Sequence, residues 1–172
     1  SLHDALPIFF AGVSAIVHEC LVNIELVGEP EFAPVKAALA DPERVRRFAD
    51  VVNAEYRAVG IRAALHPTLD LATEPRWGRQ AGTFGSDPDL VTRLTLAYLE
   101  GLQRGPVGVE SVACTCKHFP GGGPQAGGED AHFPYGKDQV YPGGFFAAHL
   151  APFPAAVAAH AAGIMPYYGR PV

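Results

Sequence analysis

From residue 41 onward, helical and strand-like patterns alternate along the chain. An Asp-Pro pair at 41–42 and a second at 87–88 each place a favoured N-cap residue before a favoured first helical residue. Apolar side chains then recur at helical spacing until Gly60 and Gly105, which suit the position just after a helix. A third helix is predicted within 145–163. This alternation predicts an α/β protein with a parallel sheet and outer helices.

The strands predicted between these helices are IRAALH (61–66), VGVESVACTC (107–116) and GIMPYY (163–168). Long polar loops follow the first two strands, whereas the connections after helices are short and marked by glycine. That asymmetry is typical of a (β/α)8 TIM-type barrel, whose active site lies on the loops at the strand C-terminal ends. A complete barrel takes about 250 residues, so we predict an incomplete barrel in 41–172. Residues 1–40 lack clean periodicity and form an uncertain N-terminal segment, for which a junction artefact is one interpretation.

The composition excludes several classes of protein. The chain is 48% hydrophobic and 18% charged, which suits a packed core and argues against disorder. A net charge of −5 without a basic stripe argues against nucleic acid as a partner. The apolar run at 6–17 is shorter than the roughly 20 residues of a membrane-spanning helix, so no membrane is expected. The chain starts with Ser1 rather than Met, which indicates a piece of a longer protein.

Three cysteines, Cys20, Cys114 and Cys116, are too few and too irregularly spaced for a disulfide framework. Cys114 and Cys116 lie two apart in a strand, so both point to one face, which we assign to the inside of the barrel. We interpret them as buried apolar residues, because a metal site needs more ligands. Free thiols favour a reducing compartment and hence a cytoplasmic protein. The glycine-rich stretch at 121–128 lacks a phosphate-loop Lys-Ser pair, so no cofactor is predicted.

Three segments resemble signatures of glycoside hydrolase family 3, the β-glucosidase family. They are EPRWGR at 74–79, followed by GTFGSDPDL; Lys-His-Phe at 117–119, followed by glycines; and IMPYYGRPV at 164–172. All three occur in the family's order. The resemblance implies a TIM-type barrel and a retaining glycosidase acting on a β-linked glycoside or oligosaccharide. It also implies a covalent glycosyl-enzyme on an aspartate that follows a later strand, beyond residue 172.

By resemblance, Arg79, Lys117 and His118 bind the glycone in subsite −1. The chemistry is suitable, because charged donors form strong hydrogen bonds to sugar hydroxyls and an imidazole donates or accepts. A salt bridge that anchors the loop is the alternative for Arg79. We assign Arg76 and Trp77 to the scaffold, with Arg76 paired to a neighbouring acid and Trp77 packed inside the loop.

Two further acids are weaker candidates for contact with the sugar. Asp70, in HPTLDLATEP, is interpreted as a pocket wall or a loop anchor; it and Glu74 are the acids that would pair with Arg76. Glu19, in IVHECL, is a candidate for the upstream acid that the family uses against a sugar hydroxyl.

The segment EDAHFP places Asp130 and His132 two residues apart, so in an extended chain they share a side. A carboxylate next to an imidazole orients its tautomer and makes a usable proton donor near neutral pH. The β-N-acetylglucosaminidase branch of the family has Lys-His-Phe-Pro-Gly-x-Gly followed by Asp-x-His, and that His is its acid/base. By this resemblance His132 and Asp130 are the catalytic candidates. The alternative is an Asp–His hydrogen bond that orders the loop.

No candidate nucleophile is found in the chain, whose last acid is Asp138. A retaining glycosidase requires a nucleophilic carboxylate, so we expect these 172 residues to be inactive alone. Three functions stay open: a β-glucosidase-like enzyme, a β-N-acetylglucosaminidase-type enzyme, and a carbohydrate-binding pseudoenzyme without catalysis.

Overall fold

The structure, a computed structural model, describes residues 40–172; the predictions for Glu19, Cys20 and the first 39 residues lie outside it. Helix α1 spans Pro42–Ala58, and its N-cap Asp41 accepts hydrogen bonds from the Glu43 and Arg44 N–H groups at 3.1 and 3.2 Å. The Asp-Pro start and the glycine after the helix are confirmed, since Gly60 has a φ of 87°.

Helix α2 spans Pro88–Leu102 and begins in the same way, with the Leu90 N–H donating to the Asp87 carboxylate at 2.7 Å. Its Gly101 lies directly against α1. A Cβ at this position would be 2.3 Å from the Arg46 carbonyl oxygen and 2.7 Å from the Ala49 Cβ. The two helices therefore pack with their backbones almost in contact.

Three strands form a parallel sheet in the order β1-β2-β4: β1 is Ala63–Ala64, β2 is Ala113–Phe119 and β4 is Gly163–Pro166. Two short strands, β3 (Asp138–Gln139) and β5 (Arg170–Pro171), form a second parallel pair that the sequence did not predict. The predicted parallel strands with outer helices are confirmed. Within residues 40–172 the main sheet ends at β1 and at β4, so no barrel closes.

The third predicted helix is wrong as a single element. The segment forms two short helices, α3 (Phe146–Leu150) and α4 (Pro152–Ala158). Pro152 has no N–H to donate to the carbonyl four residues earlier. The Ala151 N–H instead donates to the Ala148 carbonyl at 3.2 Å in a tighter turn, and Ala151 separates the two helices.

The face assigned to the cysteines is also wrong. Cys114 and Cys116 are fully buried in the cluster that β2 forms with α1, α2 and α4, so they face the helices rather than the inside of the barrel. The opposite face of β2 carries Ala113, Thr115 and Lys117, all partly exposed. A period of two shows which residues share a face, but it does not show which layer that face meets.

The described helices are short or amphipathic. None of them, within residues 40–172, is long and apolar enough to cross a bilayer.

Candidate functional site

The loops that follow β1 and β2 meet at the C-terminal end of the sheet. Arg79 belongs to the first loop, and its Nη1 lies 2.8 Å from Nε2 of His118 at the end of β2. The β1 loop is also joined to β2 by its backbone, because the Leu69 N–H donates to the Lys117 carbonyl at 2.6 Å. Residues that are 39 positions apart in the chain are thus brought into direct contact.

Asp70 fixes the position of His118 through its carboxylate. Its side chain is fully buried, and one carboxylate oxygen lies 2.7 Å from Nδ1 of His118. The other oxygen accepts from the backbone N–H groups of His118, at 3.1 Å, and of Gly122. One carboxylate therefore binds both the side chain and the backbone of His118, together with the start of the glycine-rich loop.

The hydrogen-bond network assigns the tautomer of His118. Asp70 as a carboxylate accepts hydrogen bonds, so Nδ1 of His118 carries the proton and donates. Nε2 then has a lone pair, which accepts the N–H of Arg79. Asp70, His118 and Arg79 form a chain of hydrogen bonds with a single direction. It fixes one edge of the Arg79 guanidinium and leaves its other N–H groups for different partners.

Lys117 lies on the partly exposed face of β2, the side away from the helices. Its backbone N–H donates to the Pro67 carbonyl at 3.2 Å, so the strand position is fixed on both sides. The peptide bonds Lys117–His118 and Phe119–Pro120 are cis, and the pairing register of β2 with β4 shifts between Lys117 and Phe119. Lys117 is partly exposed and His118 is buried, so these two neighbours at the end of one strand have different surroundings.

Asp130 and His132 are paired, in a turn rather than in an extended segment. Nδ1 of His132 lies 2.6 Å from Oδ1 of Asp130, and the His132 N–H donates to the same oxygen at 2.9 Å. The Phe133 N–H closes the turn on the Asp130 carbonyl at 3.1 Å. Both side chains are about half exposed, and the His132 ring packs edge-on against Tyr168 at 4.9 Å. An exposed imidazole held through Nδ1 leaves Nε2 available to exchange a proton.

The positive charge of Arg79, in the first loop, also acts on the Asp130 carboxylate. Its pKa is lowered chiefly by the hydrogen bond from the His132 backbone N–H, then by the His132 side chain, with a smaller contribution from the positive charge of Arg79. The charges of Arg79 and Asp130 likewise influence Tyr167. The loops after β1 and β2 therefore place their ionisable groups at the same end of the sheet.

Arg76 pairs with a neighbouring acid, and Trp77 packs inside the first loop. Arg76 forms two hydrogen bonds to the Glu74 carboxylate, at 2.8 and 2.9 Å, which confirms Glu74 and not Asp70 as its partner. These bonds lower the pKa of Glu74 to about 2. Trp77 is 2% exposed, as predicted for a residue packed inside the loop.

Tyr167 is a site residue to which the sequence interpretation gave no role. Its ring centroid lies 5.1 Å from that of His118, and its backbone N–H donates to the Phe119 carbonyl at 2.7 Å. Burial raises the pKa of Tyr167, although a hydrogen bond with Trp77 acts in the opposite direction. The signal was available, because Tyr167 lies within the IMPYYGRPV segment. The third family-like segment thus packs against the other two.

The part of the chain that the structure describes contains no group of three or more His, Cys, Asp or Glu side chains placed to hold a metal ion. Cys116 is buried and burial raises its pKa to about 12, so its thiol stays protonated and unreactive.

Comparisons with known proteins are consistent with these local similarities. The family profile described as "Glycosyl hydrolase family 3 N terminal domain" matches residues 25–168. Beta-glucosidase C of Emericella nidulans is 57% identical over 137 residues, which cover 79% of this chain and 22% of that protein. The periplasmic beta-glucosidase/beta-xylosidase of Dickeya chrysanthemi is 51% identical over 134 residues, covering 77% of this chain and 20% of that protein. The chain thus spans about a fifth of the length of these curated relatives.

A solved structure, the β-glucosidase EmGH1 of Erythrobacter marinus, matches with a TM-score of 0.72 at 31% identity. The match covers 81% of this chain and 18% of that one. It confirms the predicted fold class, an incomplete (β/α)8 TIM-type barrel of parallel strands with outer helices. This chain belongs to glycoside hydrolase family 3, and its residues 25–168 correspond to the N-terminal domain of that family.

Proposed function

We propose that this chain is the glycone-binding portion of a retaining, β-glucosidase-like glycosidase that hydrolyses O-glycosyl bonds. The observation that carries the proposal is the hydrogen-bond chain from Asp70 through His118 to Arg79, at the strand ends where barrel enzymes bind substrate. The names of the relatives, beta-glucosidases, support a β-linked glycoside as the substrate.

In this proposal Arg79 and Lys117 donate hydrogen bonds to glycone hydroxyls. A guanidinium has five N–H donors, and His118 accepts one of those of Arg79, so several remain for a sugar. Since both ring nitrogens of His118 are already engaged, its first task is to position Arg79. Direct contact of His118 or Asp70 with the sugar stays a prediction.

The proposed acid/base is His132 with its partner Asp130. Asp130 holds Nδ1–H, so Nε2 would give a proton to the oxygen of the leaving group and later take one from water. The nucleophile would be an aspartate that the family resemblance places after a later strand. When the acid/base is also a carboxylate, the two groups of a retaining enzyme lie about 5–5.5 Å apart. That aspartate would have to come close to His132 across the barrel mouth.

The test is the protein encoded by the complete reading frame, assayed with an aryl β-glucoside. We expect hydrolysis with a trappable covalent glycosyl-enzyme. Arg79→Ala should lower kcat/KM by about 10- to 150-fold, the equivalent of one or more charge-assisted hydrogen bonds. Arg76→Ala is the matched control in the same loop and should change it little. A folded full-length protein without turnover would favour the carbohydrate-binding pseudoenzyme instead.

A second candidate, a β-N-acetylglucosaminidase-type enzyme, is favoured by one observation: the 2.6 Å contact between His132 and Asp130. The two candidates differ in substrate. Comparing kcat/KM for aryl β-glucoside and aryl β-N-acetylglucosaminide on the same protein separates them. His132→Ala should make kcat/KM depend more steeply on the pKa of the leaving group in whichever reaction uses it as acid, because poor leaving groups need the proton most.

A further inference from the structure

A cavity of about 460 Å³ lies beside the glycone residues but is not lined by them. It is bordered by the loop after β1, the start of α2 and the segment that leads into α3. Most of its lining is apolar and includes Leu71, Pro88, Pro124, Val140, Phe145 and Ala148. Small-molecule sites are typically about 300–1,000 Å³ and largely apolar, so the cavity has the size and surface of a ligand pocket.

Tyr141 and His149 on the cavity wall each have a buried polar atom without a hydrogen-bond partner in the described part of the chain, as does Gln125 at its Oε1. The hydroxyl of Tyr141 and Nδ1 of His149 are both buried, and neither finds a partner within residues 40–172. His149 is 4% exposed, and its ring lies edge-on to that of Tyr141 at 5.4 Å. Buried polar groups in native proteins are normally hydrogen-bonded. A ligand with a hydroxyl group would supply what these two atoms lack.

The charges around the cavity disfavour an anion. Glu74 on its rim is ionised, because the Arg76 hydrogen bonds lower its pKa to about 2. Burial lowers the pKa of His149, an effect that the nearby Asp70 charge opposes, so the imidazole stays neutral at neutral pH. Burial raises the pKa of Tyr141 to about 12, which keeps its hydroxyl protonated. The cavity therefore offers hydrogen bonding without a positive charge.

We propose that this cavity binds a small neutral phenol. An aromatic ring would pack edge-to-face against Tyr141, Phe145 and His149, a favourable arrangement for such rings. Its single hydroxyl would pair with the buried polar atoms. A sugar fits poorly, because most of its hydroxyls would face apolar walls and lose their hydrogen bonds to water.

The experiment uses the full-length protein with saturating glucose, which occupies any glycone site. Phenol is titrated by calorimetry, and benzoate serves as an anionic aromatic probe. Ser86→Phe introduces a ring at an exposed position on the cavity wall and should weaken phenol binding at least about tenfold, a change of about 1.4 kcal/mol in binding free energy. Ala158→Phe adds the same ring at an exposed position outside the cavity and should leave binding unchanged.

Three outcomes would overturn the proposal: no saturable phenol binding, benzoate binding as tightly as phenol, or Ser86→Phe behaving like Ala158→Phe. Tyr141→Phe adds a second measurement, since it removes the hydroxyl and keeps the ring; it should weaken binding by less than the Ser86 variant. None of these results depends on glycosidase activity, so the phenol site and the proposed function are tested separately.

Discussion

Replacing Asp70 by Asn should detach Arg79 from His118 while leaving the loop folded. The Asn side-chain oxygen can still accept from the backbone N–H groups of His118 and Gly122. Its NH2 group, however, would face Nδ1 of His118, which is a donor in the native network. His118 must then move its proton to Nε2. Two donors, His118 Nε2–H and Arg79 Nη1–H, would face each other across 2.8 Å, and that contact is lost.

The expected loss in kcat/KM follows from the free energy of the hydrogen bond that is removed. One hydrogen bond of a charged group is worth about 1.5–3 kcal/mol, which corresponds to about 10- to 150-fold in kcat/KM. The assay is hydrolysis of an aryl β-glucoside by the full-length protein, together with the inhibition constant for glucose. Because Arg79 is proposed to bind the glycone, the glucose inhibition constant should rise along with the loss in kcat/KM. Thermal unfolding should show a folded protein.

Glu74→Gln is the matched control, because it makes the same carboxylate-to-amide change in the same loop. The Glu74–Arg76 pair is largely exposed on its Arg76 side and does not touch His118. We expect less than about a twofold effect on kcat/KM, as is usual for exposed ion pairs. If Asp70→Asn and Glu74→Gln have equal effects, or if Asp70→Asn leaves glucose inhibition unchanged, then the hydrogen-bond chain does not position Arg79.

Three other predictions concern the rest of the structure. The fold lowers the pKa of Asp130, chiefly through the His132 backbone N–H, so its carboxylate stabilises the protein above the unfolded pKa of about 4 and less as pH falls through the folded value. Thermal melts should therefore show Asp130→Asn closer to wild type at pH 3 than at pH 7, and a constant difference would contradict this. The isolated 172-residue chain should neither hydrolyse aryl β-glucosides nor melt cooperatively, because parallel barrel strands need partners on both edges and cover on both faces; a cooperative circular-dichroism transition with activity would refute it. Cys116 should resist alkylation in the folded full-length protein at pH 8, since burial raises its pKa to about 12; rapid labelling would mean that the helix-facing side of β2 opens.

Local sequence signals predicted the helix starts well, because N-caps depend on residues within one turn. Asp41 and Asp87 cap their helices through their own side chains, as their Asp-Pro contexts indicated. Elements that depend on distant partners were predicted less well. Of the predicted strand IRAALH only the two residues of β1 form a strand with β2, and the pairing of β3 with β5 was missed. Two-residue strands have no periodicity of their own.

In the candidate site, too, the residues themselves could be predicted but their contacts with distant partners could not. Family resemblance selected Arg79, Lys117 and His118, but no local pattern could indicate that Arg79 would bond to His118 rather than to an acid. The central position of Asp70 was equally hidden, since its three donors come from residues 48 to 52 positions later in the sequence. Such contacts arise from the parallel pairing of β1 with β2, which brings the ends of both strands together.

The tight contact between α1 and α2 limits which changes the gene tolerates at codon 101. Gly101 has no room for a Cβ, which would lie 2.3 Å from the Arg46 carbonyl oxygen. Every amino acid other than glycine has a Cα substituent at that place, so each missense change of this codon adds the clashing atom, and synonymous changes are the ones that leave the packing intact. Gly108 differs, because a Cβ there would meet its nearest atom at 4.0 Å. In a collection of natural variants, codon 108 should therefore accept replacements that codon 101 does not.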